Sequence, residues 1–472
     1  MQLAETLLML YAAVNIFYFI FGKKSNKPLA FAGLALLLIH IILGETRWQV
    51  GPLYLIATVI ILVHFFPFRA SKWLKVPAYV LGIVFTVISG VLCYALPVFS
   101  LPKPTGSYTV ASKTLYLKDE SRQEDITPDP NDNRELIIDL WYPAVKAQGP
   151  TKPYLEPVER KGFALKYGLP EAAFHYLDGV KTQVYLDQTP VDEAFPVLIF
   201  SPGYYTPASG YHSILGDIAS HGFIIFSINH SYETMGSRFP DGHEIFFDQA
   251  YADKYNWSEA MGKAVNEFDN AAEHEKREAI KKVNAANTGA TLSVTRWSAD
   301  ITAVLDQIME WNTDPAFALA GKMKLDQIGV FGHSRGGAAA VEASLFNDRI
   351  KAAANLDGAQ WGNVIDAKLS KPTAVFSSAG SLLYEVNRYL FQNARSTDFY
   401  DIVVDRTGHS NFSDIPYMIG LSQLNEAGSI APQKATASFN GFLVAFFDKH
   451  LSGKSIDLDA VVSGDKNLRF KE

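Results

Sequence analysis

The first hundred residues of the chain contain four long runs of apolar residues. These runs span Leu3–Gly22, Leu29–Gly44, Val50–Phe66 and Val76–Leu96. A helix rises about 1.5 Å per residue, so runs of this length approach the hydrocarbon thickness of a bilayer. The pattern predicts a four-helix transmembrane domain over residues 1–100. The alternative is a set of buried core helices in a soluble domain.

The loops between these runs differ in charge. Three basic residues lie in each of the first and third loops: Lys23, Lys24, Lys27, Arg69, Lys72 and Lys75. The middle loop holds only Arg47, next to Glu45. Because positively charged loops stay in the cytoplasm, the pattern predicts that both termini and the rest of the chain face outward. No basic residue precedes the first run, so a cleaved signal peptide is not expected.

Beyond a proline-rich linker at residues 101–107, the pattern predicts a separate domain over residues 108–472. Tyr108–Leu117 alternates between apolar and polar residues, and Glu135–Tyr142 forms a second strand-like run. These two runs predict an antiparallel opening to a sheet. The acidic stretch Asp119–Arg134 between them is predicted to be a surface loop.

Short, continuous apolar runs then alternate with helix-like segments. The predicted buried strands are Phe195–Phe200, Gly222–Ile228, Gln327–Phe331, Ile350–Leu356, Thr373–Ser378 and Asp401–Val404. Helices are predicted at Ser213–Ser220, Arg296–Trp311 and Gly336–Ser344. Buried strands that alternate with helices indicate an α/β fold with a mostly parallel, doubly wound sheet.

A long insertion separates the second and third of these buried strands. Within it, the segment Trp257–Asn287 is helical in pattern and highly charged. We predict that approximately residues 242–295 form a helical cap or lid on the sheet domain. The charges are typical of a solvated helix face. Contact with a membrane or a partner is the alternative.

The two parts of the chain have opposite charge. Residues 1–106 contain eight Lys or Arg and two Asp or Glu, which leaves 34 basic and 47 acidic residues for residues 107–472. An acidic body argues against nucleic acid as a partner, because phosphate binding needs clustered positive charge. The single cysteine, Cys93, excludes an internal disulfide.

A pentapeptide at the end of one predicted strand carries the clearest chemistry. The sequence GHSRG at residues 332–336 fits the pattern G-x-S-x-G. The apolar run Gln327–Phe331 leads into it, and the small-residue helix Gly336–Ser344 leads out. This context is typical of the nucleophile elbow of an α/β-hydrolase, which exposes a serine hydroxyl above the sheet. We therefore predict Ser334 as a nucleophile. The alternative is an ordinary glycine-rich turn.

A serine nucleophile needs a base, and these residues follow the order Ser, Asp or Glu, then His along an α/β-hydrolase chain. Only His409 and His450 come after Ser334. His409 follows a predicted strand directly, at the edge where a base would meet the elbow. His450 lies near the end of an amphipathic helix and is expected at the surface. We predict His409 as the base.

The third member of such a site is an acid that orients the histidine ring. Asp357 ends the predicted strand after the elbow helix, so its carboxylate is expected at the same edge of the sheet. Asp348 precedes that strand and lies at its opposite end. Asp357 is therefore the predicted acid, with Asp366 and Asp405 as alternatives.

An oxyanion hole requires two backbone N–H groups directed at the developing negative charge. We expect one from Arg335, the residue after the nucleophile, and one from Tyr204, in the loop after the first buried strand.

No metal is expected, because the histidines do not cluster with carboxylates or cysteines. No cofactor is expected either, since no nucleotide-binding fingerprint occurs. Pocket-lining side chains are expected at Tyr205, His230, His333 and Trp361.

These segments resemble the platelet-activating factor acetylhydrolase group of α/β-hydrolases. The resemblance covers most of residues 107–450 and rests on FPVLIFSPGYYTPASGYHSILGDIASHGFIIFSINH, GVFGHSRGGAAA, NLDG and GHSNFSD, in that order. It implies a calcium-independent serine esterase for short or oxidised acyl chains of phospholipids. GHSRGG also resembles the chlorophyllase-like branch. Two features depart from the mammalian pattern: Pro202 replaces a usual histidine, and the four-helix head is one that bacterial relatives carry.

Together these features predict a membrane-anchored serine ester hydrolase. Its expected partners are membrane lipid and a short-chain or lipophilic ester, such as a phospholipid acyl ester. An amidase or a polyester hydrolase would use the same residues. The alternative from a different class is a catalytically inactive, hydrolase-like membrane protein that only binds or signals. No pattern in the sequence specifies an oligomeric state.

Overall fold

The computed structural model describes residues 3–43, 46–67, 71–255, 257–379 and 382–471. Three residues used in the predictions of spans and loop charges lie outside these ranges: Gly44, Glu45 and Arg69. The chain divides into two compact units. Unit 1 comprises Met1–Ser100, Leu169–Val180 and Pro416–Asn425. Unit 2 comprises Leu101–Gly168, Lys181–Ile415 and Glu426–Glu472.

Each predicted apolar run of the head forms a helix in unit 1. The helices are α1 (Leu3–Ile20), α2 (Lys27–Leu43), α3 (Gly51–Phe65) and α4 (Lys72–Ala95). Among the described residues, three segments are long and apolar enough to cross a membrane: Leu3–Ile20, Trp48–Phe65 and Trp73–Ala95. The apolar segment Lys27–Ile42 in α2 is shorter.

A buried ion pair joins the first helix of the head to the loop before α3. Arg47 Nε donates to Glu5 Oε1 at 2.8 Å, and Arg47 Nη2 donates to Glu5 Oε2 at 3.0 Å. The same guanidinium also donates to the carbonyl oxygen of Leu96 at 2.6 Å, just beyond α4. Both charged side chains are almost fully buried, so each neutralises the other inside the helix cluster.

Unit 2 is built on a large sheet. The strands are β1 (Thr109–Gln123), β2 (Asn133–Ala144), β3 (Val184–Leu186), β4 (Phe195–Ser201), β5 (Ile224–Asn229), β6 (Gly236–Arg238), β7 (Glu244–Phe246), β8 (Met323–His333), β9 (Ile350–Leu356), β10 (Thr373–Ser378), β11 (Phe399–Val404) and β12 (Leu468–Phe470). The further α-helices are α5 (Pro157–Tyr167), α6 (His212–Ser220), α7 (Gln249–Lys254), α8 (Glu259–Asn270), α9 (Lys276–Ala286), α10 (Thr288–Trp311), α11 (Arg335–Phe346), α12 (Leu382–Leu390), α13 (Ile415–Met418), α14 (Pro432–His450) and α15 (Leu458–Gly464).

The strand order in the large sheet is β12-β11-β10-β9-β8-β4-β5-β2-β1-β3. Strands β5, β4, β8, β9, β10 and β11 run parallel, while β1–β2, β2–β5 and β11–β12 are antiparallel pairs. The predicted antiparallel opening and parallel centre are therefore confirmed. A mostly parallel sheet of this kind, flanked by helices, is the α/β-hydrolase fold that the elbow motif predicted.

Alternate residues of the central strand β4 enter different apolar clusters, which shows that both faces of the sheet are covered. Val197 and Ile199 pack in the cluster that includes α10 and α11. Leu198 and Phe200 pack in the cluster that includes α6 and α14. Side chains of successive strand residues point to opposite faces, so a strand buried on both sides reads as a continuous apolar run.

Two predictions about the edges of the sheet were wrong. The predicted loop Asp119–Arg134 is shorter than expected, because β1 continues to Gln123 and pairs Asp119 with Arg134. Ion pairs from Arg122 to Asp119 and Asp300 hold this charged strand end in place. In addition, β11 is not the last strand, since the short β12 pairs antiparallel with it.

The predicted insertion contains a small hairpin and several helices. Strands β6 and β7 pair antiparallel, and α7, α8 and α9 follow. Helix α10 begins at Thr288, inside the predicted insertion, and continues as the long helix whose Trp297 and Ile301 are buried in the sheet's core. We refer to residues 242–295 as the cap.

Candidate active site

The candidate nucleophile lies at a strained turn between β8 and α11. Ser334 has φ 56° and ψ −126°, a backbone conformation that residues other than glycine rarely adopt. Its N–H donates to the carbonyl oxygen of Leu356 at 2.9 Å, and its carbonyl oxygen accepts from Gly337 at 3.0 Å. These bonds anchor the turn to the neighbouring strand and to the helix that follows, so the hydroxyl is held above the carboxyl edge of the sheet.

The glycines of the motif are required by close backbone contacts. A Cβ atom added at Gly336 would lie 2.1 Å from the carbonyl oxygen of Ser201 and 2.3 Å from that of Pro202. A Cβ atom added at Gly332 would lie 2.4 Å from the carbonyl oxygen of Gly336. Backbone atoms cannot move aside as a side chain can, so the elbow closes only with glycine at these two positions.

Three residues that are far apart in sequence meet at this turn. The Nε2 atom of His409 lies 3.0 Å from the hydroxyl of Ser334. The Nδ1 atom of the same ring lies 2.8 Å from Oδ2 of Asp357. Asp357 follows β9, and His409 begins a short helical turn after β11. Parallel strands end at the same edge of a sheet, and for that reason these positions converge.

The Asp357 carboxylate is buried and held by a residue that sequence reasoning missed. Only 1% of Asp357 is exposed. The backbone N–H of Ser378 donates to its Oδ1 at 2.7 Å, and the Ser378 hydroxyl donates to its Oδ2 at 2.9 Å. Ser378 is the last residue of β10, so the one available signal was its position at the carboxyl end of a predicted strand.

The alternative candidates lie elsewhere. Asp366 is exposed and pairs with Lys281, and Asp405 is half-buried and pairs with Arg469. Nε2 of His450 lies 3.3 Å from the hydroxyl of Tyr400. None of the three lies within hydrogen-bonding distance of Ser334 or His409 in the described part of the chain.

The loop that follows β4 is fixed by a buried tyrosine. The Tyr211 hydroxyl accepts from the backbone N–H of Gly203 at 2.8 Å and donates to Nδ1 of His333 at 2.9 Å. The other nitrogen of that ring, Nε2, donates to the carbonyl oxygen of His409 at 3.1 Å. Burial lowers the pKa of His333 well below its usual value, so the ring is neutral and both bonds are compatible with one tautomer.

The two expected oxyanion donors flank the nucleophile from different elements. Arg335 is the first residue of α11, and Tyr204 belongs to the loop that Tyr211 fixes. Neither of their backbone N–H groups donates a hydrogen bond within the described residues. Both groups are therefore available to an oxygen atom placed near Ser334.

A cavity of about 360 Å³ lies beside the elbow. Its lining combines Arg335 with residues of the β4 loop, the cap and α10. Six aromatic side chains contribute, namely Tyr204, Tyr205, Phe247, Tyr251, Tyr255 and Trp257. The ring of Tyr205, one of the expected pocket residues, stacks on Phe247 with a centroid distance of 3.7 Å. An aromatic wall of this kind favours apolar groups of a ligand.

The other three expected pocket residues do not line this cavity. His230 is buried and lies between the hydroxyl of Ser201, at 2.9 Å, and Oδ2 of Asp300, at 2.8 Å. His333 is buried beneath His409, as described above. Trp361 packs against the apolar cluster formed by α8, α9 and α12. Hydrogen bonds to buried groups hold His230 and His333, and apolar packing holds Trp361.

A solved structure and several curated proteins are similar to this chain. The ferulic acid esterase from Streptomyces cinnamoneus superposes with a TM-score of 0.63 and 25% sequence identity, covering 80% of this chain and all of that protein. A platelet-activating factor acetylhydrolase from Cavia porcellus is 26% identical over 293 residues, 58% of this chain and 62% of that protein. The chain thus spans less than two-thirds of the Cavia porcellus protein.

A fungal relative is matched over a larger share of its length. The probable 1-alkyl-2-acetylglycerophosphocholine esterase of Arthroderma benhamiae is 22% identical over 421 residues, 79% of this chain and 94% of that protein. Fold and relatives together define the class of this chain as α/β-hydrolase, and the relatives named here are called acetylhydrolase or esterase. More narrowly, the model of the platelet-activating factor acetylhydrolase, isoform II, family matches residues 97–467, and the chain belongs to that family.

Proposed function

We propose that the chain is a membrane-anchored serine hydrolase of carboxylic esters in which Ser334, His409 and Asp357 form the catalytic triad. The supporting observation is the pair of contacts that His409 makes, 3.0 Å to the serine hydroxyl and 2.8 Å to the carboxylate. A serine is a poor nucleophile unless a base accepts its proton, and an acid behind the base stabilises the imidazolium that forms.

The reaction would proceed through an acyl-enzyme. Ser334 Oγ attacks the ester carbonyl while Nε2 of His409 takes its proton, and the backbone N–H groups of Tyr204 and Arg335 bind the oxyanion. His409 then returns the proton to the departing alcohol. In the second half, a water molecule gives a proton to His409 and attacks the acyl carbonyl, which releases the acid and restores Ser334. The amino end of α11 adds a favourable field for the negative intermediate.

The substrates we propose are short-chain or lipophilic esters, including phospholipid acyl esters. The aromatic lining of the cavity to which Arg335 of the elbow contributes supports an apolar substrate group. The names of two relatives, which refer to platelet-activating factor and to an alkylacetylglycerophosphocholine, support a phospholipid ester.

We further propose that residues 1–100 form a four-span anchor, joined by the linker 101–107 to a hydrolase domain at 108–472 with the cap at 242–295. The support is the length and apolar character of the helices, including the shorter α2. Many apolar side chains on their outer faces are exposed, such as Phe31 and Val87, and lipid would cover them. The basic loops favour an extracytoplasmic hydrolase domain.

A fluorophosphonate probe tests the nucleophile. The full-length protein in detergent should become labelled, and Ser334→Ala should abolish the label. The exposed Ser463 offers a matched control, because Ser463→Ala removes a hydroxyl at the surface and should leave labelling intact. A folded wild-type protein that takes no label would contradict the proposal and favour a hydrolase-like binding protein.

A substrate panel tests the reaction class. We expect hydrolysis of para-nitrophenyl esters from acetate to palmitate and of a phosphatidylcholine with a short acyl chain. The panel also includes the para-nitroanilide of the same acyl group and a polyester film, because an amidase and a polyester hydrolase would use the same residues. Cleavage of the anilide faster than of the matched ester would overturn the ester assignment.

Labelling of single cysteines tests the membrane arrangement. The native Cys93 is buried, so new cysteines at exposed positions can be read separately. We expect Ser463→Cys to react with a membrane-impermeant maleimide on intact cells, and Lys24→Cys to react only after permeabilisation. The reverse pattern would overturn the orientation, and release of the protein by alkaline carbonate washing would overturn the anchor.

A further inference from the structure

In the proposed oxyanion hole, Arg335 contributes only its backbone N–H. The function of its side chain is therefore a separate question. Its guanidinium lines the cavity beside the elbow. The guanidinium carbon lies 3.7 Å from the centre of the Tyr204 ring, and Nη1 donates to the Ser293 hydroxyl at 3.2 Å. Tyr204 also forms a side-chain hydrogen bond with this guanidinium. A guanidinium has five N–H donors, so these two neutral partners leave further donors for a ligand.

No carboxylate in the described part of the chain pairs directly with Arg335. The buried carboxylate of Glu233 lies on the other side of Ser293 and accepts hydrogen bonds from three groups. Its Oε1 accepts from Ser293 at 2.5 Å, and its Oε2 accepts from Arg296 at 2.8 Å and Trp297 at 2.6 Å. Arg296 also pairs with Asp125, whose Oδ1 lies 2.6 Å from its Nε, so the charge of Arg296 is shared between two carboxylates. Arg335 makes no direct ion pair, and it is linked to Glu233 only through the Ser293 hydroxyl.

The remaining charges of the cavity do not supply that partner. Asp253 also lines the cavity, but it is exposed at the rim and accepts a hydrogen bond from Gln249 at 2.8 Å. Burial lowers the pKa of Arg335, which is the sign of a cation held at a cost in free energy. An anion entering the cavity would offset that cost, as charge-assisted hydrogen bonds to a guanidinium do.

We propose that the Arg335 guanidinium and the aromatic cavity form a subsite for an oxyanion group carried by the ester substrate, a carboxylate or a phosphate. This inference rests on the proposed function, since it concerns the substrate of the same site. Arg335 directly follows Ser334 in the chain, so the proposed subsite belongs to the same elbow as the nucleophile. The aromatic rings around the guanidinium pack against the apolar chain that joins the two groups.

Two pairs of substrates distinguish the sources of the oxyanion. The first pair is para-nitrophenyl pentanoate and the mono-para-nitrophenyl ester of glutaric acid, which have acyl chains of equal length and differ in a terminal carboxylate. The second pair is a diacylglycerol with short acyl chains and the phosphatidylcholine with the same chains. For each pair, the ratio of kcat/KM for the charged member to that for the neutral member is measured.

We expect Arg335→Gln to lower at least one of these ratios by roughly 10- to 100-fold, because a hydrogen bond to a charged group is lost. Arg335→Lys keeps the charge without the fork of donors and should give an intermediate ratio. The matched control is Arg349→Gln, which alters an arginine that precedes β9 at the opposite edge of the sheet and pairs with Asp306. It should leave both ratios unchanged.

A lower ratio for the first pair shows that the subsite binds a carboxylate on the acyl chain. A lower ratio for the second pair shows that it binds the headgroup phosphate. Both members of a pair are measured on one preparation, so any loss of folded protein cancels. Ratios within about twofold of wild type in both pairs would overturn the subsite, since even a weak charged hydrogen bond exceeds that factor. Absence of fluorophosphonate labelling of wild-type Ser334 would instead defeat the proposed function itself.

Discussion

Ser378 binds both oxygens of the Asp357 carboxylate, through its backbone N–H at 2.7 Å and its hydroxyl at 2.9 Å. The acceptor Oδ2 is the same atom that contacts Nδ1 of His409. The orientation of the imidazole ring is therefore determined by a hydroxyl on β10 as well as by the carboxylate on β9. The buried carboxylate of Asp357 thus has hydrogen-bond partners at both of its oxygen atoms.

Ser378→Ala should slow catalysis without affecting substrate binding. The variant loses one hydrogen bond to a buried carboxylate, so we expect kcat to fall roughly 10-fold while KM stays close to wild type. Steady-state kinetics with a short-chain para-nitrophenyl ester measures both constants. The neighbouring Ser377 is equally buried and points to the other face of the strand. A loss of the same size in Ser377→Ala would indicate a general packing defect.

Tyr211→Phe should weaken the oxyanion hole indirectly. The hydroxyl holds the loop that carries Tyr204, and its removal leaves Gly203 N–H and Nδ1 of His333 without a partner. We expect kcat to fall between roughly 10- and 100-fold, less than the loss of a direct oxyanion donor. Tyr142→Phe removes a buried hydroxyl that donates to Gln188 at 2.7 Å and serves as control. Wild-type kcat in Tyr211→Phe would refute this role.

Two Gly→Ala substitutions should change stability in opposite directions. Gly336→Ala drives a Cβ atom into two carbonyl oxygens and should cost about 1–3 kcal/mol, the usual cost of overpacking. Gly441 lies in α14 with open space where a Cβ would be, so Gly441→Ala should stabilise the protein by about 1 kcal/mol. Thermal unfolding of the detergent-solubilised chain reports both. Equal midpoints for the two variants would contradict the close contact at the elbow.

The buried Asp414 should make stability fall as the pH rises. Burial raises the pKa of Asp414 to about 7, although the Ser213 backbone and hydroxyl donate to its Oδ1. An unfolded aspartate has a pKa of about 3.9, so between these values the folded state binds more protons than the unfolded state. The contribution of Asp414 to the free energy of unfolding is complete below its pKa in the unfolded state. This contribution is lost as the pH rises through its pKa in the folded state.

The measurement for Asp414 is the thermal midpoint between pH 5 and 8. We expect the wild-type midpoint to decrease over this range and the decrease to be smaller in Asp414→Asn. Burial also raises the pKa of Glu159 to about 8, which contributes a decrease of the same sign to both proteins. Glu159→Gln is therefore the second variant to compare. Identical slopes in wild type and Asp414→Asn would show that Asp414 is not responsible.

The parts of the site that sequence alone predicts are those set by local pattern and chain order. The strand, glycine turn and small-residue helix around Ser334 are contiguous, so the elbow could be recognised without a structure. Asp357 and His409 follow strand-like runs, and parallel strands present their ends at one edge. The structure brings these three residues together.

The supporting residues could not be predicted because their contacts depend on packing between distant segments. Tyr211 reaches His333 across 122 positions, and Ser293 reaches Arg335 across 42. Tyr211 lies within the segment that carries the family resemblance, but nothing in that pattern indicates its contact with His333, and a buried tyrosine or serine is ordinary in a core. The predicted loop at 119–134 failed for a related reason, since the charged end of β1 is held by a partner, Asp300, far along the chain.

The ion pair between Glu5 and Arg47 has a consequence for biogenesis. The two residues are 42 positions apart, so in the proposed anchor Glu5 leaves the ribosome well before the cation that neutralises it. An isolated carboxylate is costly in hydrocarbon. For the proposed anchor, we therefore expect the first helix to reach its final position only after the segment carrying Arg47 has been made, so that the early helices assemble together and not one by one.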